Sequence, residues 1–364
     1  MMLPYFGIMM QEVQENERQE NIAQFNIERR IMRNNSDPFS LSDTHFVNIF
    51  RLNKDMVNYL IQELTPHMPV SMHPNAVDPQ LKILATLYFF ANGSYQRVIG
   101  NSFLLSMAQN TISNCVNEVS SLIVNHLSDN WILFPSTRED KLAIKEQFMA
   151  HTNFPGVIGA VDCTHVAIVA PLEEEHNYIN RKGYHSKNVQ VVCDYNLRIL
   201  NINPQFPGST HDSYIWRMSQ VQAELERCFN NGDHNSWLLG DSGYPQQPWL
   251  MTPILHPIAG TPEEQYNNSH ASARNCIERC FGVLKGKFRC LLGERVLRYS
   301  PEKVGTIAVS CAVLHNICIA ARLEHNFDIP EQAVEHYVNI VHENYLENNV
   351  GREARRQLIE RYFI

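Results

Sequence analysis

Three acidic residues in this chain occupy positions where carboxylates do chemistry or cost stability. Asp162 interrupts the apolar run VIGAV–CTHVAI in mid-strand, where a charge is expensive unless it is paired or metal-bound. Asp241 ends the stretch SWLLGD; the apolar run Trp237, Leu238, Leu239 leads through Gly240 to the acid, as a buried strand delivers a carboxylate to the edge of a sheet. Glu278 lies in RNCIERCFGVLKGKF, one residue beyond Ile277 of the apolar stripe Ile277, Phe281, Leu284 and Phe288, and so beside the buried face of a helix. A fourth acid, Asp212, follows the strand-like RILNINPQ in PGSTHDSYIW and is placed to reach the other three. Oxygen-only ligands from two strands and a helix suit hard divalent ions such as Mg²⁺ or Mn²⁺. Two such ions, about 4 Å apart, clamp the attacking and leaving oxygens of an in-line phosphoryl transfer. Each acid also has an ordinary role open to it. Asp162 can cap a turn, Asp241 can cap a helix, Glu278 can pair with Arg274 at i−4, and Asp212 can form an Asx turn or cap before SYIWRMS. Singly these roles suffice; jointly they explain the pattern poorly.

The second acid sits inside GDSG, residues 240–243, which raises a rival reading with Ser242 as a protease nucleophile. That reading needs a histidine base and a carboxylate to orient it. The glycine that continues the trypsin-like loop is replaced by Tyr244 and Pro245, and no segment resembles the AAHC loop that supplies the base. These departures weigh against Ser242 as a nucleophile and leave Asp241 the stronger candidate.

The elements that must position these acids can be read from texture. Residues 1–41 form a polar segment rich in Glu, Asn, Gln and Arg. Residues 42–130 read as helical throughout, with LKILATLYFFANG a buried helix closed by Gly93. Ser94 reads as the N-cap of a following helix; after a break near Phe103–Ser106, another helix carries Ile112, Val116, Val119 and Ile123. Two helices with a tight connection fit a helix-turn-helix, although two core helices of a bundle share the same periodicity. A linker with FPST leads to the helix DKLAIKEQFMAHT, and then the texture changes. GVIGAVDCTHVAIVAP, NVQVVCDYN, RILNINPQFPG and SWLLGD read as consecutive strands. Irregular chain is expected after Gly243, with helix resuming at ASARNCIERCFGVLKGKF and again at PEKVGTIAVSCAVLHNICIAARL. Strands followed by helices define an α/β (α+β) domain over residues 150–322, with a helical tail over 323–364.

Bulk properties narrow the class. A chain of 364 residues with 44% hydrophobic and 19% charged residues has room for two domains and a sizeable core. No uninterrupted apolar run of membrane-spanning length is read, so no membrane association is expected. Nine cysteines, mostly within apolar segments, point to buried reduced thiols in the nucleus or cytoplasm. Cys276 and Cys280 form a CxxxC pair without a partner pair at zinc-finger spacing. The net charge of −8 argues against nucleic-acid binding over the whole surface, but its distribution is uneven. Residues 274–303 hold eight Lys/Arg against three Glu, so Arg274, Lys285 and Lys287 are candidates for phosphate contact. So are Arg181, Lys182 and Lys187 of the basic block NRKGYHSKN.

Six ordered blocks carry a resemblance: GAVDCTHVAI, NRKGYHSKNVQVVCD, PGSTHDSYIW, LLGDSGYP, NxxHxxxRxxIERxFGxLKxxFRCL from Asn267, and AVLHNI. With QNTISNCV, which matches the family's helix-turn-helix, they resemble the PIF/Harbinger transposases and the Harbinger transposase-derived nucleases of animals from about Phe46 to Arg322. The resemblance implies an RNase H-like catalytic core behind an all-helical domain, with a DDE triad carried onto Asp162, Asp241 and Glu278. A nuclear, divalent-metal-dependent DNA nuclease is therefore expected, in which the triad Asp162, Asp241 and Glu278 holds the metal, with Asp212, by its place just beyond a strand end, the further ligand expected. A catalytically silent DNA- or protein-binding factor that keeps the fold is the alternative. The helix expected over Ser106–His126 contains no Arg or Lys, and Asn114 stands where the family often has a basic residue. Weak and unspecific DNA binding by this chain alone is therefore expected. The resemblance supplies the partner, a separate Myb/SANT-like DNA-binding protein; a homo-oligomer is also open.

Overall fold

The computed structural model describes residues 3–70, 76–93, 96, 100, 102, 104–323 and 349–363, and the chain divides into two compact units, Met1–Val119 and Ser120–Ile364. The first unit is helical: α1 (Leu3–Asn34), α2 (Asp43–Phe50), α3 (Lys54–Leu64), α4 (Pro79–Asn92) and the start of α5 (Gln109–Trp131). Local sequence sets these boundaries. Asn53 accepts from the Met56 N–H to cap α3, and Asp78 accepts from Gln80 N–H ahead of Pro79 at the first helical position of α4. Gly93 ends α4 in the left-handed region at φ 58°, as the sequence anticipates. Ile112, Val116, Val119 and Ile123 of α5 are all fully buried. This helix starts at Gln109 rather than Ser106, because Ser106 has a φ of 41° that a helix interior does not take. The expected N-cap Ser94 and the break at Phe103 lie outside the described residues, as do 324–348 of the tail.

In the second unit, Thr137 caps α6 (Arg138–Thr152) through the Asp140 N–H, and the chain then enters a five-stranded sheet. The strands are β1 (Val157–Ala167), β2 (Ser186–Cys193), β3 (Ile199–Pro207), β4 (Trp237–Leu239) and β5 (Leu250–Met251). Their order is β3-β2-β1-β4-β5. β1 runs antiparallel to β2 and parallel to β4, so the sheet is mixed. β5, only two residues long, lies in the stretch for which irregular chain is expected. Gly156, at φ 75°, admits the Trp237 indole where any Cβ would collide, and the start of β4 seats there.

Ile158, Val161, Val192 and Leu238 of the sheet share a core with Trp216 of α7 (Asp212–Arg217) and with Val221 and Leu225 of α8 (Gln220–Asn230). Two long helices also pack on the sheet. α9 (Pro262–Lys287) lies against β1, β2 and β4, and α10 (Pro301–Ala320) against β3 and β2. Asn316 of α10 ties that helix to the sheet: its Nδ2 donates to Ile199 O and Trp131 O, and its Oδ1 accepts from Ile199 N–H. By length and composition α10 is the one described helix able to cross a membrane, but 72% of its apolar window is buried inside the fold. α11 (Asn349–Tyr362) returns to β5, where Arg355 donates to Thr252 O at 3.1 Å.

Candidate active site

Parallel pairing of β1 with β4 brings two of the acids together. Gly159 pairs with Leu238 and Ala160 with Leu239; continued two residues past the end of β4, that register sets Asp241 abreast of Asp162. Both carboxylates are buried, at 6% and 8% exposure. Each has a local backbone bond of the ordinary kind: Asp162 Oδ1 accepts from Cys163 N–H, and Asp241 Oδ1 accepts from Gly243 N–H in a turn. Glu278 arrives from α9, more open than the aspartates at 37% side-chain exposure.

Arg274, one turn before Glu278, joins helix to strand. Its Nη1 lies 3.2 Å from Glu278 Oε1 and 3.5 Å from Asp162 Oδ2. The i−4 pairing with Glu278 open to the sequence therefore exists, but the same guanidinium nitrogen also reaches a strand residue distant in sequence. Asp212 sits at the first position of α7 and accepts from Asn188 Nδ2 at 2.8 Å. It does not cap the helix by a side-chain bond, and its charge is felt by both Asp162 and Asp241.

These carboxylates hold surplus negative charge. Burial, and then the charges of Asp241 and Asp212, push the Asp162 carboxyl well above its usual range against the opposing pull of Arg274. Burial and then Asp212 raise Asp241 as well, opposed by Arg274 and Arg181. Burial works against the charge on Arg274, but Asp162, Asp241 and Glu278 together outweigh it and hold the guanidinium above its ordinary value. Among the described residues no three His, Cys, Asp or Glu side chains stand at ligating distance from a common point. Arg274 occupies the space between Asp162 and Glu278. The donor chemistry nonetheless fits a hard cation: all four candidate groups are carboxylates, and the two most buried are raised first by burial and then by their acidic neighbours.

The basic candidates divide. Arg181 is exposed, hydrogen-bonded to His211, and near enough for Asp241 to feel its charge. Lys182 is exposed in the same loop. Lys187, Lys285 and Lys287 are corrections to the sequence reading: their exposures are 5%, 1% and 1%. Lys187 donates to Gln205 O, Lys285 donates to His165 O, and Lys287 lies beside Cys318. Lys187 lies within the fully buried β2, and α9 is wrapped on all sides from Cys280 to Lys287, so its last-turn lysines meet a carbonyl and a cysteine instead of water. Arg274 too points inward, at the carboxylates.

Sequence reading missed the stripe that aims this helix. Tyr266, His270, Arg274 and Glu278 recur every fourth residue on α9. Tyr266 Oη donates to Thr252 O at 2.9 Å, and His270 Nε2 lies 3.0 Å from Met251 O. Burial lowers His270 to about 4, so it is neutral and donates through Nε2–H. Two rungs thus pin α9 to the strand edge, and the next two enter the carboxylate site. The signal was present: Thr261, Pro262 and Glu263–Glu264 spell a helix start well before Ala271.

Comparison with known proteins places this geometry in a family. The family described as DDE superfamily endonuclease matches residues 161–316. "Putative nuclease HARBI1" of Bos taurus is 36% identical over 311 residues, covering 81% of this chain and 86% of the relative. The protein of the same name from Homo sapiens is 35% identical over the same shares. The chain belongs to the Harbinger transposase-derived nuclease family. "Protein ALP1-like" of Arabidopsis thaliana is more distant, 25% identical over 80% of this chain and 73% of that protein. No solved structure matches. Membership in the DDE superfamily implies an RNase H-like core, and the mixed sheet with its helical N-terminal region is of that class. Nucleases of the superfamily generally use divalent metals.

Proposed function

We propose that this chain is a divalent-metal-dependent DNA nuclease that cleaves phosphodiester bonds with Asp162, Asp241 and Glu278 as its catalytic acids. The observation that carries the reading is the register of β1 against β4, which sets two buried aspartates side by side with surplus negative charge between them. Asp162, Asp241, Glu278 and Asp212 would hold Mg²⁺ or Mn²⁺. Bound ions of this class activate a water and stabilise the attacking and leaving oxygens of phosphoryl transfer. The chain's own residues do the rest. Pairing of β1 with β2 fixes Asp162, the turn bond from Gly243 N–H orients Asp241 just past β4, Asn188 holds Asp212 in place, and α9 carries Glu278 to the open side. Arg181 and Lys182, exposed in the loop before β2, supply phosphate contacts that orient the backbone without reading sequence.

In this reading α5 is the second helix of a helix-turn-helix. It carries no Arg or Lys, which supports recruitment through a separate Myb/SANT-like DNA-binding protein in the nucleus. Incubating the purified chain with plasmid DNA in Mg²⁺ or Mn²⁺, and in chelator, tests the proposal. Strand breaks that need the metal are expected. Intact plasmid under every metal condition leaves the catalytically silent binding factor as the reading.

A further inference from the structure

Arg274 is an unusual ion-pair partner. Two exposed helical pairs are tight, Arg356 with Glu360 at 2.6 Å and Arg227 with Glu224 at 2.6 Å, while the still more exposed Arg18–Glu15 pair is loose at 3.9 Å. Arg274 is far less exposed, yet its Nη1 stands 3.2 Å from one carboxylate and 3.5 Å from another, longer on both sides than a charge-assisted bond prefers. A single nitrogen is shared between two anions at compromise distances, and it stands between the oxygens that Asp162 and Glu278 would offer to a cation. The charge balance points the same way. Asp162, Asp241 and Glu278 all act on Arg274, Asp212 adds a fourth negative charge to the two aspartates, and Arg181 acts on Asp241, so two guanidiniums face four carboxylates. The cluster also opens to solvent along Glu278, whose side chain is 37% exposed against 8% for Asp162.

We propose that Arg274 is the resident counter-ion of this site: it holds the Asp162–Glu278 bridge until a divalent cation takes that place, and the displaced guanidinium then pairs with a DNA phosphate. The proposal rests on the carboxylate reading above and adds an exchange to it. In the metal-free site Asp162 and Glu278 are not left unpaired, and loading the cation releases a planar donor fork suited to phosphate at the moment it is useful. Arg274 thereby couples metal loading to DNA binding as a positioning residue.

Mn²⁺ binding to the purified full chain without DNA, followed by titration calorimetry, tests the exchange. Removing the competitor in Arg274→Gln should tighten Mn²⁺ by about tenfold, the scale on which a neighbouring cation alters a carboxylate's hold on a proton. It should also enlarge the rise in melting temperature on adding Mn²⁺. Arg274→Lys keeps the charge but cannot bridge both acids; it should tighten Mn²⁺ by less, and it carries the test if the glutamine variant does not fold. Unchanged or weaker Mn²⁺ binding in the folded variant overturns the exchange. Asp162→Asn, run in parallel, separates the two ideas. Loss of Mn²⁺ binding there keeps the carboxylate site whatever Arg274 does, whereas Mn²⁺ binding like the wild type's sinks both. For the phosphate arm, Ca²⁺ should strengthen binding to a random-sequence duplex more in the wild type than in Arg274→Gln; equal strengthening removes that role.

Discussion

Helix α9 contains two charged stretches that look alike in composition and behave oppositely. Its earlier part, Tyr266 to Glu278, points a polar stripe at the strand edge, and there Arg274 faces more anions than it can neutralise. Its last part carries Lys285 and Lys287, which are more deeply buried than Arg274 and meet a backbone carbonyl and a cysteine. A buried cation among neutral groups is a packing solution, its aliphatic stem filling space while the head meets a neutral neighbour, as Lys285 meets His165 O. A buried cation outnumbered by carboxylates leaves charge over, and leftover charge is what a metal or a phosphate can satisfy. Counting lysines and arginines along residues 274–303 treats both stretches as one basic surface; partner and burial separate them.

The largest effect should come from the packing stretch. Lys285→Glu places an anion against His165 O inside the core and should cost more than about 3 kcal/mol, the scale of an uncompensated buried charge. Urea unfolding measures it. A loss under about 1 kcal/mol would mean Lys285 reaches solvent and would erase the contrast.

The site stretch predicts a pH signature next. Asp162 and Asp241 hold protons in the folded chain that an unfolded chain, at the usual 3.8, has released. The folded state therefore binds more protons, and stability of the metal-free protein falls as pH rises from that unfolded value through the raised folded values. Each such proton contributes at most roughly 1.4 kcal/mol per pH unit. Asp162→Asn should flatten the slope of unfolding free energy measured in chelator across the acidic range. Equal slopes in the two proteins would show that Asp162 is an ordinary ionised carboxylate.

A smaller effect sharpens the boundary of the site. Asp212→Ala removes the bond from Asn188 and should cost about 1 kcal/mol. If Asp212 belongs to the cluster, the Mn²⁺ concentration at half-maximal cleavage should rise as well. An unchanged midpoint would confine Asp212 to its structural bond.

Much of this arrangement was legible because strands and carboxylates interrupt one another visibly. An aspartate inside VIGAV–CTHVAI and another closing SWLLGD announced two strands that each carry an acid; that these two pair, as β1 and β4, is a tertiary fact the sequence does not show. The stripe of Ile277, Phe281, Leu284 and Phe288 likewise announced the buried face of α9. What failed to show was tertiary. Two-residue β5 is too short for any periodicity, and its pairing with β4 creates it. The polar spacing of Tyr266, His270 and Arg274 reads as solvated helix until a strand edge is laid beside it. Burial of Lys187, Lys285 and Lys287 depends on neighbours distant in sequence, and no local pattern distinguishes such lysines from surface ones.

The central claim is that Asp162, Asp241 and Glu278 act as one metal-dependent unit. Metal-dependent cleavage of plasmid DNA by Asp162→Asn, Asp241→Asn and Glu278→Gln, each first checked for a native melting transition, tests it most directly. Each substitution keeps the side chain's size and removes its charge, so each should fold and lose more than about a hundredfold in rate, the scale of losing one charge-stabilising group at a reacting centre. Cleavage near the wild-type rate by any one of the three would contradict the account.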